Sequence, residues 1–269
     1  MATLGRHLQR TYMEKKVIYY KDELNDEFSK AIIKPDIVDE NYKYIHKNLF
    51  WKIGEFFAYL ISLPIKSLYP KVKFHIKYIG KEKVKPYKNT GYFIYANHTQ
   101  EFCDTFIPTN MIFPKTNSLI VNPENVSMKG LKLLVKMLHA IPIPNNISGM
   151  KNFLDAVEYY IHKKHASVTI YPEAHIWPYC NFIRNFKDVS FKYPIKYDVP
   201  TFCVTNVYKK YGKNNDKIQI ISYLDGPFFA DNSLKNAKEQ QKNLRNQVYN
   251  KMCERAKESE ITLFEYVKS

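Results

Sequence analysis

Two apolar runs that empty into polar clusters constrain this 269-residue chain more than any other feature. Tyr92-Phe-Ile-Tyr-Ala96 gives way to Asn97-His-Thr-Gln-Glu-Phe-Cys-Asp104, and Val168-Thr-Ile-Tyr171 gives way to Pro172-Glu-Ala-His-Ile-Trp177. The first run comes after the turn-prone Asn89-Thr-Gly91, so it reads as a short strand buried on both faces. Strands of that kind belong to sheets with helices packed on both sides. Such open α/β sheets present their chemistry just beyond the carboxyl ends of their strands.

The rest of the chain supplies the expected partners. Leu131, Leu134, Val135 and Leu138 share one face of a helix ending near His139, and Phe153, Leu154, Val157 and Ile161 mark a second. Further helices are predicted over 186–193 and over 234–257, the latter with Leu244, Val248 and Met252 at helical spacing. Strands are predicted over 118–121, 201–208 and 218–224. Another is expected over 71–79, where Val72, Phe74, Ile76 and Tyr78 alternate with polar residues. Strands and helices alternating in this way predict an α/β fold with a mixed, largely parallel sheet flanked by helices. The chain then divides into three stretches: an irregular N-terminal arm over 1–38, an amphipathic helical segment over 39–70, and an α/β domain over 71–269 that includes the C-terminal helix.

The apolar half of the helical segment, Leu49 to Pro64, has about 16 residues and contains Lys52 and Glu55, whereas a bilayer span needs roughly 20 apolar residues. Phe50, Trp51, Phe56, Phe57 and Tyr59, flanked by lysines, suit a helix lying at headgroup depth, and suit a core helix equally. A net charge of +15, from 41 Lys and Arg against 26 Asp and Glu, favours anionic partners: a membrane surface, a phosphorylated small molecule or an acidic protein. With no zinc-finger spacing, RNP-like segment or basic heptad helix, nucleic acid is not an expected partner. The four cysteines form no Cys-x-x-Cys pair, and the first residues hold no apolar core with a cleavage site. Both fit reduced thiols in the cytoplasm, and no metal site is expected.

The chemistry starts at His98. A histidine just past a buried strand, with Glu101 and Asp104 downstream, can act as a general base whose ring is oriented by a carboxylate. Spacing alone leaves two acids. On an ideal helix Glu101 at i+3 lies beside His98, while Asp104 at i+6 points elsewhere.

Asn97-His98 through Asp104, then Tyr171-Pro-Glu173, then Asp198-Val-Pro-Thr-Phe-Cys-Val204 resembles the ordered motif set of the glycerolipid acyltransferases, the superfamily of glycerol-3-phosphate and 1-acylglycerol-3-phosphate acyltransferases. The likeness covers roughly 45–225. It implies His98 as the base and Asp104 as its orienting acid, although the family places four residues between them and this chain has five. The family's third block, Phe-Pro-Glu-Gly-Thr-Arg, stands here as Tyr171-Pro-Glu-Ala-His-Ile176. Glu173 is kept, to bind an acceptor hydroxyl or hold the loop. Asn97 and His175 are expected as further substrate contacts, and Arg184 as the substitute phosphate ligand, since a guanidinium matches phosphate oxygens. Asn145 and Asn146 stand where the family's second block supplies an Arg. Trp177 and Tyr179 are expected to line an acyl groove, and amides near the His98 turn to serve as oxyanion donors.

The resemblance implies transfer of a fatty acyl group from acyl-CoA or acyl carrier protein to a hydroxyl of a glycerolipid such as a lysophospholipid, with no cofactor beyond that co-substrate. The protein would sit in the cytoplasm, peripheral to the inner face of a membrane. Two other readings fit the same residues: a lipid-binding scaffold of this fold without turnover, and a thioesterase in which His98 activates water.

Overall fold

A computed structural model describes residues 16–28 and 33–269. In chain order its elements are β1 (Lys16–Tyr20), α1 (Leu49–Phe74), β2 (Lys77–Ile79), β3 (Tyr92–Ala96), α2 (Ile107–Ile112), β4 (Asn117–Val121), α3 (Lys132–Met137) and β5 (Ala140–Pro142). Next come α4 (Met150–Glu158), β6 (Ser167–Ile170), α5 (Lys192–Lys196), β7 (Thr201–Tyr211), β8 (Lys217–Phe228), α6 (Ala237–Ala256) and β9 (Phe264–Lys268). Seven strands form one sheet in the order β2-β8-β7-β3-β6-β4-β5, and every pairing is parallel except β7 with β8. The largely parallel α/β sheet expected from the sequence is present.

The topology fixes where a site can open. From β3 the chain crosses over β6 to reach β4, and from β6 it crosses over β3 to reach β7. Adjacent parallel strands whose connections leave in opposite directions open a crevice at their carboxyl ends. His98 and Glu173 lie just past the ends of those two strands.

All five side chains of β3 are buried, and they alternate between two layers. Phe93 and Tyr95 pack with Phe153 and Val157 of α4 and with Leu244, Val248 and Met252 of α6. Tyr92, Ile94 and Ala96 pack with Ile107, Met111 and Ile112 of α2 and with Phe74 at the end of α1. Burying each large apolar side chain contributes about 1.5–3 kcal/mol, so this strand is a rigid floor for the loop beyond its carboxyl end.

Helix α1 departs from the expected boundaries at both ends. It begins at Leu49, where the Asn48 side chain caps the Trp51 amide at 2.7 Å, and it runs through Pro64 and Pro70 to Phe74. The strand expected from Lys71 is therefore helix as far as Phe74. Ala58, Ser62, Lys66, Pro70 and Phe74 form one buried row at i+4 spacing, and that row outweighs the short alternation at 72–78. Each proline removes a single backbone bond, and the helix is packed on both sides of each. His75 then takes a left-handed conformation (φ 45°) and ends it.

The inner row of α1 is small or polar, while large apolar side chains, among them Phe50, Phe56, Phe57, Ile61, Leu68 and Val72, face outward. That is the reverse of a core helix. Among the described residues no helix is long and apolar enough to cross a membrane.

The helix expected over 186–193 is shorter, a turn at Val189–Phe191 leading into α5, because Phe186 and Arg184 are drawn inward. Part of the arm expected to be irregular is ordered: β1 pairs in parallel with β9 at the opposite end of the chain. Residues 1–15 of that arm lie outside the described residues.

Candidate active site

Beyond β3 the chain turns around one carboxylate. Oδ2 of Asp104 lies 2.8 Å from Nδ1 of His98 and accepts the amides of Thr99 at 2.8 Å and Gln100 at 2.9 Å. Its Oδ1 accepts from the Asn206 side chain at 3.4 Å. The fifth intervening residue is absorbed in this way: 98–104 is a loop wrapped on the carboxyl group, and helical spacing does not apply to it. Glu101 is exposed on the outside of the same loop, and Asp104 is the acid in contact with the ring.

In the neutral ring, a hydrogen on Nδ1 donates to Asp104 and Nε2 keeps its lone pair. The His98 side chain is 18% exposed, and that of Asp104 is 1% exposed. A carboxylate out of solvent holding a partly open imidazole in one tautomer is the arrangement of a general base.

The other expected contacts are occupied by the protein itself. Asn97 is buried, donating to the Asn206 carbonyl at 3.1 Å and accepting the Asn206 amide at 2.8 Å. It ties the loop to β7 and is not free for substrate. Glu173 is buried too; it accepts the His98 amide at 2.9 Å and the Arg184 amide at 2.9 Å. The first of these bonds joins the loop after β6 to the loop that carries His98. Burial pushes its carboxyl up from the ordinary value, and Arg184 with the two amides pulls it back only in part.

Arg184 is turned into the protein, where Nη2 is paired while Nε and Nη1 find no hydrogen-bond partner among the described residues. It is 1% exposed, pairs with Glu173 at 3.4 Å, donates to the His175 carbonyl and lies 4.7 Å over the Trp177 ring. A buried carboxylate needs a partner, and Arg184 supplies it. The His175 ring pairs at 2.8 Å with Glu27 of the arm, so it does not partner the Glu173 carboxylate. Trp177 is sealed rather than groove-lining: Tyr20, Phe28 and Tyr266 surround it at 4.6–5.3 Å, and its indole donates to Asp26. The Asn145 side-chain oxygen accepts the Val38 amide and that of Asn146 accepts the Gly149 amide, so both carbonyls serve the local turn. The amides of 98, 99 and 100 are spent on Glu173 and Asp104, which removes them as oxyanion donors.

Three residues of the site escaped the sequence reading. Tyr171 stacks on the His98 ring at 4.3 Å and donates its hydroxyl to the Asp104 carbonyl. Tyr208 accepts from Gln100 at 2.9 Å and donates to Thr99 at 2.8 Å, and Asn206 bridges Asn97 and Asp104. Asn206 left a signal: an amide beside Thr205 within the buried stretch from Phe202 to Val207 must find buried partners.

No protein-family model and no curated protein sequence matches the chain. Among solved structures, the 1-acyl-sn-glycerophosphate (LPA) acyltransferase PlsC from Thermotoga maritima is similar, with a TM-score of 0.49 and 14% identity over 78% of this chain and 96% of that one.

Proposed function

We propose that the chain moves a fatty acyl group from a thioester to a hydroxyl of a glycerolipid at a membrane surface, with His98 as general base. The observation that carries this reading is the 2.8 Å contact between His98 Nδ1 and the buried Asp104 carboxylate, which leaves Nε2 as acceptor on a partly open ring. Nε2 takes the acceptor's hydroxyl proton as the oxygen attacks the thioester carbonyl carbon. A C–O bond forms, and the C–S bond breaks when the tetrahedral oxyanion collapses. The imidazolium returns its proton to the departing thiolate. Asp104 stabilises the charge on the ring meanwhile, and a positioned base of this kind contributes roughly 10²–10⁴ in rate.

The ordered blocks through Glu173 and Val204 support a glycerolipid acceptor. The outward apolar face of α1, with Lys52, Lys71 and Lys73 exposed on the same helix, supports peripheral docking on an anionic cytoplasmic leaflet. A net charge of +15 suits the phosphates of acyl-CoA or an acidic carrier protein as donor.

Thiol release from acyl-CoA and from acyl carrier protein, each with and without added lysolipid, tests the reading. Release that depends on lysolipid is the expected result. Release indifferent to lysolipid makes the protein a thioesterase, and no release from either donor makes it a scaffold.

A further inference from the structure

Tyr171 is the first residue past β6, and β6 pairs in parallel with β3 so that Tyr95 lies opposite Ile170. The residues just past the two strand ends are thereby brought face to face. The Tyr171 ring lies against the His98 ring with centroids 4.3 Å apart and planes 26° from parallel. Its hydroxyl donates to the backbone carbonyl of Asp104. One side chain thus touches both members of the pair.

The face of a phenol ring carries partial negative charge and attracts a cation within about 6 Å of its centroid. A neutral imidazole gains only ordinary stacking from the same contact. The Tyr171 face is therefore worth more after His98 has taken a proton than before, which is the condition for speeding a step rather than only tightening a complex. Burial first, then the nearness of Asp104 and Cys103, pushes the Tyr171 hydroxyl far up, so it remains a neutral donor. The other ionisable groups near the two rings are Asp104, Cys103 and exposed Glu101 on the His98 loop, Tyr208 bonded to that loop, Glu173 at the His98 amide with its partner Arg184, and Lys73 of α1 on the Cys103 side. None of these stacks on the imidazole.

We infer that Tyr171 is a positioning residue for His98, its ring fixing the imidazole and favouring the imidazolium, its hydroxyl pinning the turn that carries Asp104. The kinetic part of this inference rests on the acyl-transfer reading; the effect on the histidine does not.

The full chain, with its histidine side chains isotopically labelled, is titrated by NMR without substrate as wild type, as Tyr171→Phe, and with pentafluorophenylalanine at position 171. The last keeps the ring's shape and reverses the charge of its face. Tyr171→Phe is expected to leave the His98 midpoint within about 0.3 pH unit of wild type, and the fluorinated ring to lower it by about half a unit or more. A fluorinated protein titrating with wild type, or a Phe variant shifted as far as the fluorinated one, overturns the role of the ring. In turnover, Tyr171→Phe is expected to lower kcat about three- to tenfold with KM little changed, the loss of one hydrogen bond, and an unchanged kcat overturns the role of the hydroxyl. If the midpoint shifts as expected while no thioester turns over, the acyl-transfer reading has failed and the contact between the rings stands. If turnover depends on lysolipid while the midpoint is indifferent to the ring, the reverse holds.

Discussion

The loop after β3 closes on itself, while the loop after β6 is held by distant parts of the chain. Asp104 gathers groups from residues four to six positions before it. Pro178, Trp177 and Asn185, by contrast, are bonded by residues 88, 151 and 162 positions away, at the two ends of the chain. The first loop carries the chemical groups and brings His98 and Asp104 together with its own amides, while Asn206, Tyr208 and Tyr171 fasten it to the neighbouring strands. The second supports it, through the Glu173 bond to the His98 amide, and takes its own shape from elsewhere. Where a site is built locally its residues can be named from spacing, and where it is built from the termini they cannot.

The sharpest way to break that contrast is to remove the ion pair inside the second loop. Arg184→Met leaves Glu173 buried without its cation and is expected to destabilise the protein by about 3–5 kcal/mol in denaturant unfolding, since the pair is almost completely out of solvent. A loss under about 1 kcal/mol would mean that Glu173 is held from other directions and that Arg184 is dispensable.

Smaller, and of opposite sign, is Ala174→Gly. Ala174 sits in the left-handed region at φ 62°, in the tight turn where its amide bonds Tyr171 and the next amide bonds Glu173. A residue with a Cβ is strained in that conformation, and glycine is not. The substitution relieves strain and adds freedom to the unfolded chain, for a net gain of about 0.5–1 kcal/mol in the same assay. Destabilisation would show that the Ala174 side chain makes contacts that outweigh its strain.

Smallest of all is Glu101→Gln on the first loop. An exposed carboxylate outside the turn is expected to change stability by less than about 0.5 kcal/mol and to leave turnover intact. A large loss of turnover would move the orienting role from Asp104 to Glu101.

The same contrast explains what could be read from the residues alone. β3 is legible as an unbroken apolar run and β6 as Val168, Ile170 and Tyr171 around one threonine, and His98 with Asp104 as a base and an acid past the first of them. The extra residue between these two looked like an obstacle only while the stretch was imagined as a helix; the amides of Thr99 and Gln100 turn it into a loop with the carboxylate at its centre. A cation near a third-block glutamate has no sequence mark that separates a ligand from a buried counter-ion, so the Arg184–Glu173 pair is not legible in the sequence. His175 and Trp177 were misread because their partners, Glu27, Asp26 and Tyr20, lie in a polar arm with weak periodicity. The limits of α1 escaped for another reason. Its buried row of Ala58, Ser62, Lys66 and Pro70 carries no hydrophobic signal, so the apolar pattern pointed at the face that stays outside.

The central claim is that Asp104, across five residues, makes His98 a base. It is tested most directly by comparing lysolipid-dependent thiol release by Asp104→Asn and by wild-type protein of equal folded content. The asparagine can no longer accept the Nδ1 hydrogen on the same terms and presents the wrong tautomer, so kcat is expected to fall by about 10²–10⁴. Turnover by Asp104→Asn equal to that of wild type would contradict the account.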